Sequence, residues 1–245
     1  MHKNPRNKLS RRSFLASSLR AALFGTYALN SNARTQTPWS NWSGGLSCNP
    51  KGRYDIAAEN QLIDLLRETS GPIRPVGSGH SFSPLVPTDG HLIVIDQLSG
   101  VFDHDSQSLQ ATVGAGTRLG DLGAPLFDIG QGMLNLPDID RQTVAGATAT
   151  GTHGTGINFK SLSGYITGLR IITASGEVKD IDASHGDLFD AVRVNLGALG
   201  IVTQIRMQNR KSFKLKKREW TAPTEELLQD FDSLAESHRQ FEIFP

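Results

Sequence analysis

One cysteine, Cys48, stands among 245 residues, so an internal disulfide and a CxxC metal or redox pair are both excluded. Charge of one sign is lacking too. The formal net charge is +1, and nothing in it points to nucleic acid or an anionic membrane. Past the N-terminal segment, no run approaches the ~18 apolar residues of a membrane span. His80 and His153 have no carboxylate or cysteine at ligand spacing, which argues against zinc and leaves no metal site in the sequence. Internal repeats are absent. Hydrophobic residues at 38% and charged residues at 20% fit a globular protein long enough to bury a real core, not a disordered or fibrous one.

Glycine is plentiful. The chain has 25, clustered in short loops where backbone must approach something closely. The N-terminus is equally distinctive. "NKLSRRSFLASSLRAALFGTYALNSNA" carries twin arginines, Arg11 and Arg12, then Phe14 and Leu15, a moderately apolar run, and Ser31-Asn32-Ala33 as a small-x-small cleavage pattern. Residues 1–33 read as a twin-arginine export signal, which sets the chain in a periplasmic or extracellular setting with no stable membrane anchor. A basic amphipathic helix is the alternative, and Arg20 interrupts the apolar stretch.

Along the rest, "IAAENQLIDLLRETSG" places Ile56, Leu62, Ile63, Leu65 and Leu66 on one helical side and stops at Gly71-Pro72. Strands are predicted at 73–76, 91–96, 108–116 and 201–208, with a hairpin about Ser175-Gly176. A short helix in "RLGDLGAPLFDIG" should be broken by Gly123 and Pro125, and "GDLFDAVRVNLGALG" should be a helix ending in glycine. The basic run 210–218 reads as an edge strand or hinge. "TEELLQDFDSLAESHRQ" reads as an amphipathic helix capped by Thr224, and "FEIFP" as the start of a strand. Helices mixed with hairpins give an α+β fold.

Three glycine loops bear on function. In "RPVGSGHSFSP" (74–84), a strand feeds Gly77-Ser78-Gly79, and converging backbone N–H groups there can cradle a pyrophosphate without lysine. A dinucleotide fingerprint would need glycine where Phe82 stands, and a P-loop would need Lys-Ser/Thr after the last glycine. An ordinary turn remains the alternative. "VGAGTRLG" (113–120) follows a strand and has Asp138 and Asp140 about twenty residues on, but its spacing is G-x-G-x-x-x-G. It leaves a nicotinamide-dependent dehydrogenase as a rival reading. "TVAGATATGTHGTG" (143–156) has no charge and nothing larger than His153; its threonine hydroxyls and amides suit contact with a polar heterocycle or phosphate.

Together "RPVGSGHSFSPLVPTDG", "TVGAGT", "NLPDIDRQTVAGATATGTHGTG" and "NLGALGIVTQI" resemble the PCMH-type FAD-binding domain of vanillyl-alcohol-oxidase-type flavoenzymes. Within that superfamily they resemble the aldonolactone oxidase and alditol oxidase branch, which includes the D-arabinono-1,4-lactone and gulonolactone oxidases. The resemblance spans residues 39–210 and implies two α+β subdomains with FAD between them. It places Val76, Gly77, Ser78, Gly79, His80, Ser81 and Phe82 in the loop around the FAD pyrophosphate. His80 matches the histidine bonded to the flavin 8α-methyl in covalently flavinylated members, a role that suits a nucleophilic imidazole. Thr117 falls in the second of these motifs. Thr143, Gly146, Thr148, Gly151, Thr152 and His153 match the second FAD loop, and Ile201 and Val202 match a segment lining the cofactor.

The implied activity is that of an FAD-dependent oxidoreductase acting on CH–OH groups. It oxidises a sugar-derived lactone or polyol by hydride transfer to FAD, with O2 as acceptor. Relatives continue with a substrate-binding cap and a His-Trp-x-Lys-type motif. On that pattern residues 211–245 are the truncated start of a cap domain, and no catalytic acid or base is assigned. A truncated, non-catalytic flavin-binding fragment, or half of a split enzyme completed by a C-terminal chain, is the alternative function.

Overall fold

The computed structural model describes residues 37–244; the export-signal reading of residues 1–33 lies outside them. The described chain opens with a short antiparallel hairpin, β1 (Trp39–Ser40) paired with β2 (Ser47–Cys48). β3 (Gly52–Asp55), α1 (Glu59–Glu68), β4 (Ile73–Val76) and β5 (His91–Val94) follow. β5 lies between β3 and β4 in a parallel three-stranded sheet. α1 buries Leu62, Leu65 and Leu66, the i, i+3, i+4 stripe of an amphipathic helix. Against them pack Ile56, Ile93 and Ile95. Glu59 in the first turn and Arg67 in the last complement the helix dipole.

A second, larger sheet comes next. It is built from β6 (Val101–Asp105) and β7 (Gln110–Gly114) and, further along, β9 (Ile166–Ile172), β10 (Val178–Asp182) and β11 (Ile201–Gln208). Between these two groups come α2 (Gly123–Asp128), β8 (Gln131–Gly132) and α3 (Val144–Ala149); α4 (Asp187–Val192) separates β10 from β11. The sheet order is β10-β9-β11-β7-β6, antiparallel throughout. Buried and less buried residues alternate along β11, the period of a sheet with one face on a core. Val113, Val144, Leu169, Ile171 and Ile205 belong to that core. β12 (Arg210–Lys211) pairs with β8, and α5 (Thr224–Gln229) and α6 (Phe231–Ser237) close the described chain.

Two side chains, Ala145 and Val202, pack against both cores. A polar clip ties α1 to the antiparallel sheet. Glu59 accepts from Thr203 Oγ1 and from Gln204 Nε2 at 3.1 Å, and lies 3.7 Å from Arg170, which also pairs with Asp180. The α+β reading is thus realised as two sheets, one parallel and one antiparallel, sharing a seam. Among the described residues no helix is long and apolar enough to cross a membrane.

Several expectations about elements are corrected. The expected interruption falls at Gly123, where a 3-10 turn over Leu119–Leu122 gives way to α2; Pro125 does not interrupt the helix but sits in its first turn, where proline's missing N–H has no helical partner to lose. The predicted helix 186–200 ends at Val192, and the turn beyond it uses positive φ at Leu196, Gly197 and Gly200. The C-terminal helix is two helices meeting at Asp230; Thr224 is a helical residue, with no capping bond, and neither helix buries a side chain. Residues 241–244 form no strand, and only Arg210–Lys211 of the basic run is paired.

Candidate cofactor site

β4 carries the chain inward to Val76, which is buried, and releases it into the loop Gly77–Phe82. Gly79 takes φ +67°, a region glycine occupies without a Cβ penalty. Each carbonyl at the loop's tip is held from outside. The Trp42 N–H donates to Gly79 O at 3.1 Å, Trp42 Nε1–H to His80 O at 3.2 Å, and Asn41 Nδ2–H to Ser81 O at 3.2 Å. Among the described residues the N–H groups of Ser78 to Phe82 have no hydrogen-bond partner. A run of successive free amides beside satisfied carbonyls can cradle an anion where the N–H groups converge. The Ser78 hydroxyl does not face that cradle; it donates to Arg141 O at 2.6 Å, tying the loop to the segment before α3.

That segment forms the opposite wall. Thr143 caps α3, its Oγ1 accepting from the Gly146 N–H at 3.2 Å. Its neighbours are fixed by the turn after β7, where Val144 N–H donates to Thr117 O at 2.8 Å and Ala145 N–H to Ala115 O at 3.1 Å. Thr117 is buried away from the cleft. Its hydroxyl accepts from Gly100 N–H and donates to Gly114 O, so it shapes the platform under α3. The threonines of α3 are also more self-contained than a ligand-facing reading expects. Thr148 and Thr150 donate their hydroxyl protons to the carbonyls of Val144 and Gly146, leaving only oxygen lone pairs for a ligand.

Ile201 and Val202 supply the third wall, beside the Asn195–Gly197 turn. Gly197, at φ +80°, packs so tightly on Pro75 that a Cβ would lie 2.7 Å from the proline ring. The walls line one open cleft. Val76 to Ser81, Thr143, Gly146, Thr148, Ile201 and Val202 line it, so most of the sequence-derived residues are brought together there. Phe82, Thr152 and His153 line a shallower neighbouring hollow instead, and His80 and Gln142 border both. Gly151, at φ +69°, turns the chain between α3 and Thr152 and touches neither.

Sequence reasoning missed Asn41, Trp42, Gln142 and Arg193. Arg193 lines the cleft, pairs with Asp190, donates to Ser163 O at 3.2 Å and lies over the Phe189 ring. Its buried Nε has no partner among the described residues.

Free amides and the apolar side chains of Ile95, Leu169 and Val202 line the same cleft, a combination that suits a ligand with an anionic centre and a flat apolar part. A side chain on Gly77 would collide with Thr143 on the facing wall. FAD is such a ligand, and the residues present fit it.

Comparison with known proteins gives the same answer. Residues 55–182 match the family described as FAD binding domain. The chain is 38% identical over 209 residues to L-gulono-1,4-lactone dehydrogenase of Mycobacterium tuberculosis, covering 84% of this chain and 48% of that protein. It is 31% identical over 211 residues to D-arabinono-1,4-lactone oxidase of Kluyveromyces lactis, covering 83% and 40%. The chain therefore spans about half the length of the curated relatives it matches, or less. Among solved structures, cholesterol oxidase from Brevibacterium sterolicum shares the fold at TM-score 0.66 and 19% identity, over 76% of this chain and 39% of that one. The third-glycine test, the cradle of free amides and the family match converge, and the chain belongs to the FAD-binding domain family.

Proposed function

We propose that this chain is the FAD-holding part of an oxidoreductase that converts the CH–OH group of a sugar-derived lactone to a carbonyl, with O2 as acceptor. The observation that carries the reading is the amide cradle Ser78–Phe82 set against Thr143 and α3. Its relatives named for L-gulono-1,4-lactone and D-arabinono-1,4-lactone supply the substrate class. When bound, FAD would supply the two-electron redox chemistry, as the hydride acceptor. The chain's own residues do the holding. The Ser78–Phe82 amides receive the pyrophosphate, and Val76, Ile95 and Val202 keep water from the apolar parts.

His80 is proposed as the covalent tether. It borders both hollows, half-buried, with one ring face on Trp42 at 5.3 Å between centroids. The sequence supports export as well: Arg11-Arg12 ahead of a moderately apolar run, closing at Ser31-Asn32-Ala33, is the pattern of a twin-arginine signal delivering the protein to the periplasm or beyond. Replacing Arg11 and Arg12 by lysine should hold the protein in the cytoplasm on cell fractionation, and unchanged export would refute the signal.

The enzymatic reading is tested by mixing the flavin-loaded chain with L-gulono-1,4-lactone or D-arabinono-1,4-lactone under anaerobic conditions. Bleaching of the oxidised flavin absorbance, reversed by air, is expected. Bound flavin that neither lactone bleaches would favour the second reading, in which a separate chain completes the substrate side.

A further inference from the structure

Asn41 and Trp42 lie outside the family-matched residues 55–182, on the turn between β1 and β2, yet they hold the cradle from behind. Their three donors meet the successive carbonyls of Gly79, His80 and Ser81 at 3.1 to 3.2 Å. The donors are themselves fixed. Asn41 is 3% exposed, donates its N–H to Leu46 O at 2.9 Å and accepts from Leu46 N–H at 3.0 Å. The Trp42 indole is set by its stack on the His80 ring, 21° from parallel, and by the edge of Phe82 at 5.8 Å. Trp39 presses on Gly79 from the same hairpin, where a Cβ would come within 3.2 Å of its ring.

A trans peptide unit is planar, so its C=O and the following N–H point in opposite directions. Anchoring the carbonyls of Gly79, His80 and Ser81 to the hairpin therefore turns the N–H groups of His80, Ser81 and Phe82 away from it. These are among the amides left free, and His80 and Ser81 line the cleft. We propose that Asn41 and Trp42 are positioning residues for the FAD pyrophosphate, acting through the peptide units of residues 79–82 and touching no part of the flavin ring. The proposal rests on the FAD-binding reading of the cleft.

The test compares two probes, FAD and riboflavin, which lacks the pyrophosphate. Both are titrated into the full chain in a His80→Phe background, which removes the nucleophilic ring nitrogen so that exchangeable flavin is read and keeps a ring beside residue 42. Trp42→Phe keeps a ring to stack and deletes only the Nε1–H donor. It should weaken FAD binding roughly three- to tenfold, the effect of one hydrogen bond, and leave riboflavin affinity unchanged. Equal weakening for both probes, or none for FAD, would overturn the proposal. No FAD binding before the Trp42 change is introduced would instead sink the underlying reading. Amide hydrogen exchange is the second measurement. At saturating FAD, Trp42→Phe should lower protection of residues 80–82 and leave that of α3 intact; loss at both places, or at neither, contradicts the proposal.

Discussion

Gly77 and Thr143 meet across the floor of the cleft so closely that a Cβ on Gly77 would overlap the Thr143 hydroxyl. Thr143 cannot yield. It is 1% exposed, its Oγ1 is engaged with Gly146, and its backbone bridges to Arg118. Gly77→Ala should therefore push the cradle off α3, weakening FAD binding more than tenfold and lowering the unfolding temperature. Thr143→Ala alone should cost about 1 kcal/mol as a lost helix cap. Because it removes the obstructing hydroxyl, the double variant should be more stable than the two single losses summed. Additive losses in thermal unfolding would show that the two residues do not share this contact.

The clip between the sheets makes a pH prediction. Arg170 donates to both oxygens of Asp180, at 2.8 and 2.9 Å, and this pairing holds the Asp180 carboxyl below its ordinary range. A carboxyl with a depressed folded pKa adds stability that is present above the unfolded value, about 3.9, and is lost as pH falls through the folded one. Asp180 is 68% exposed, so solvent screening limits the gain to at most about 1 kcal/mol. Asp180→Asn should lower stability near neutral pH and leave it unchanged in strong acid. An equal deficit at both ends, read by denaturant unfolding, would assign the effect to something other than this ion pair.

Leu62 tests the smaller core. It is fully buried on α1 against Ile93 and Ile95, and Leu62→Ala should cost about 2–5 kcal/mol in transfer and cavity terms. Leu228 on α5 is 63% exposed, and the same substitution there should change stability by less than about 0.5 kcal/mol. Urea midpoints for the two variants give the comparison directly.

Strongly patterned segments were legible in the sequence. β4 and β11 fall on the predicted residues, and the hairpin turns at Gly176, at φ +78°. β3 and β6 were not visible. Most of β6 is exposed, Phe102 to Asp105, and ends in the polar run Asp103-His104-Asp105, so its pairing with β7 rather than its composition makes it a strand. α3 was hidden differently. Its glycine, its valine and its one threonine, Thr148, are poor helix formers, and the helix exists because Thr143 caps it and Val144 and Ala147 are buried. The cradle's glycines could be read as a loop that binds something. The carbonyl clamp could not, because Trp42 lies 38 residues before His80 and only the fold brings them together.

The most direct measurement is flavin fluorescence in the band of the denatured protein on a gel, with His80→Ala run beside it. The account predicts a fluorescent wild-type band and a dark His80→Ala band, whose native protein still releases free FAD on denaturation. A dark wild-type band would contradict the tether at His80. Fluorescence surviving in His80→Ala would place the bond on another residue, and His80→Ala protein that releases no FAD would make His80 part of the cradle itself.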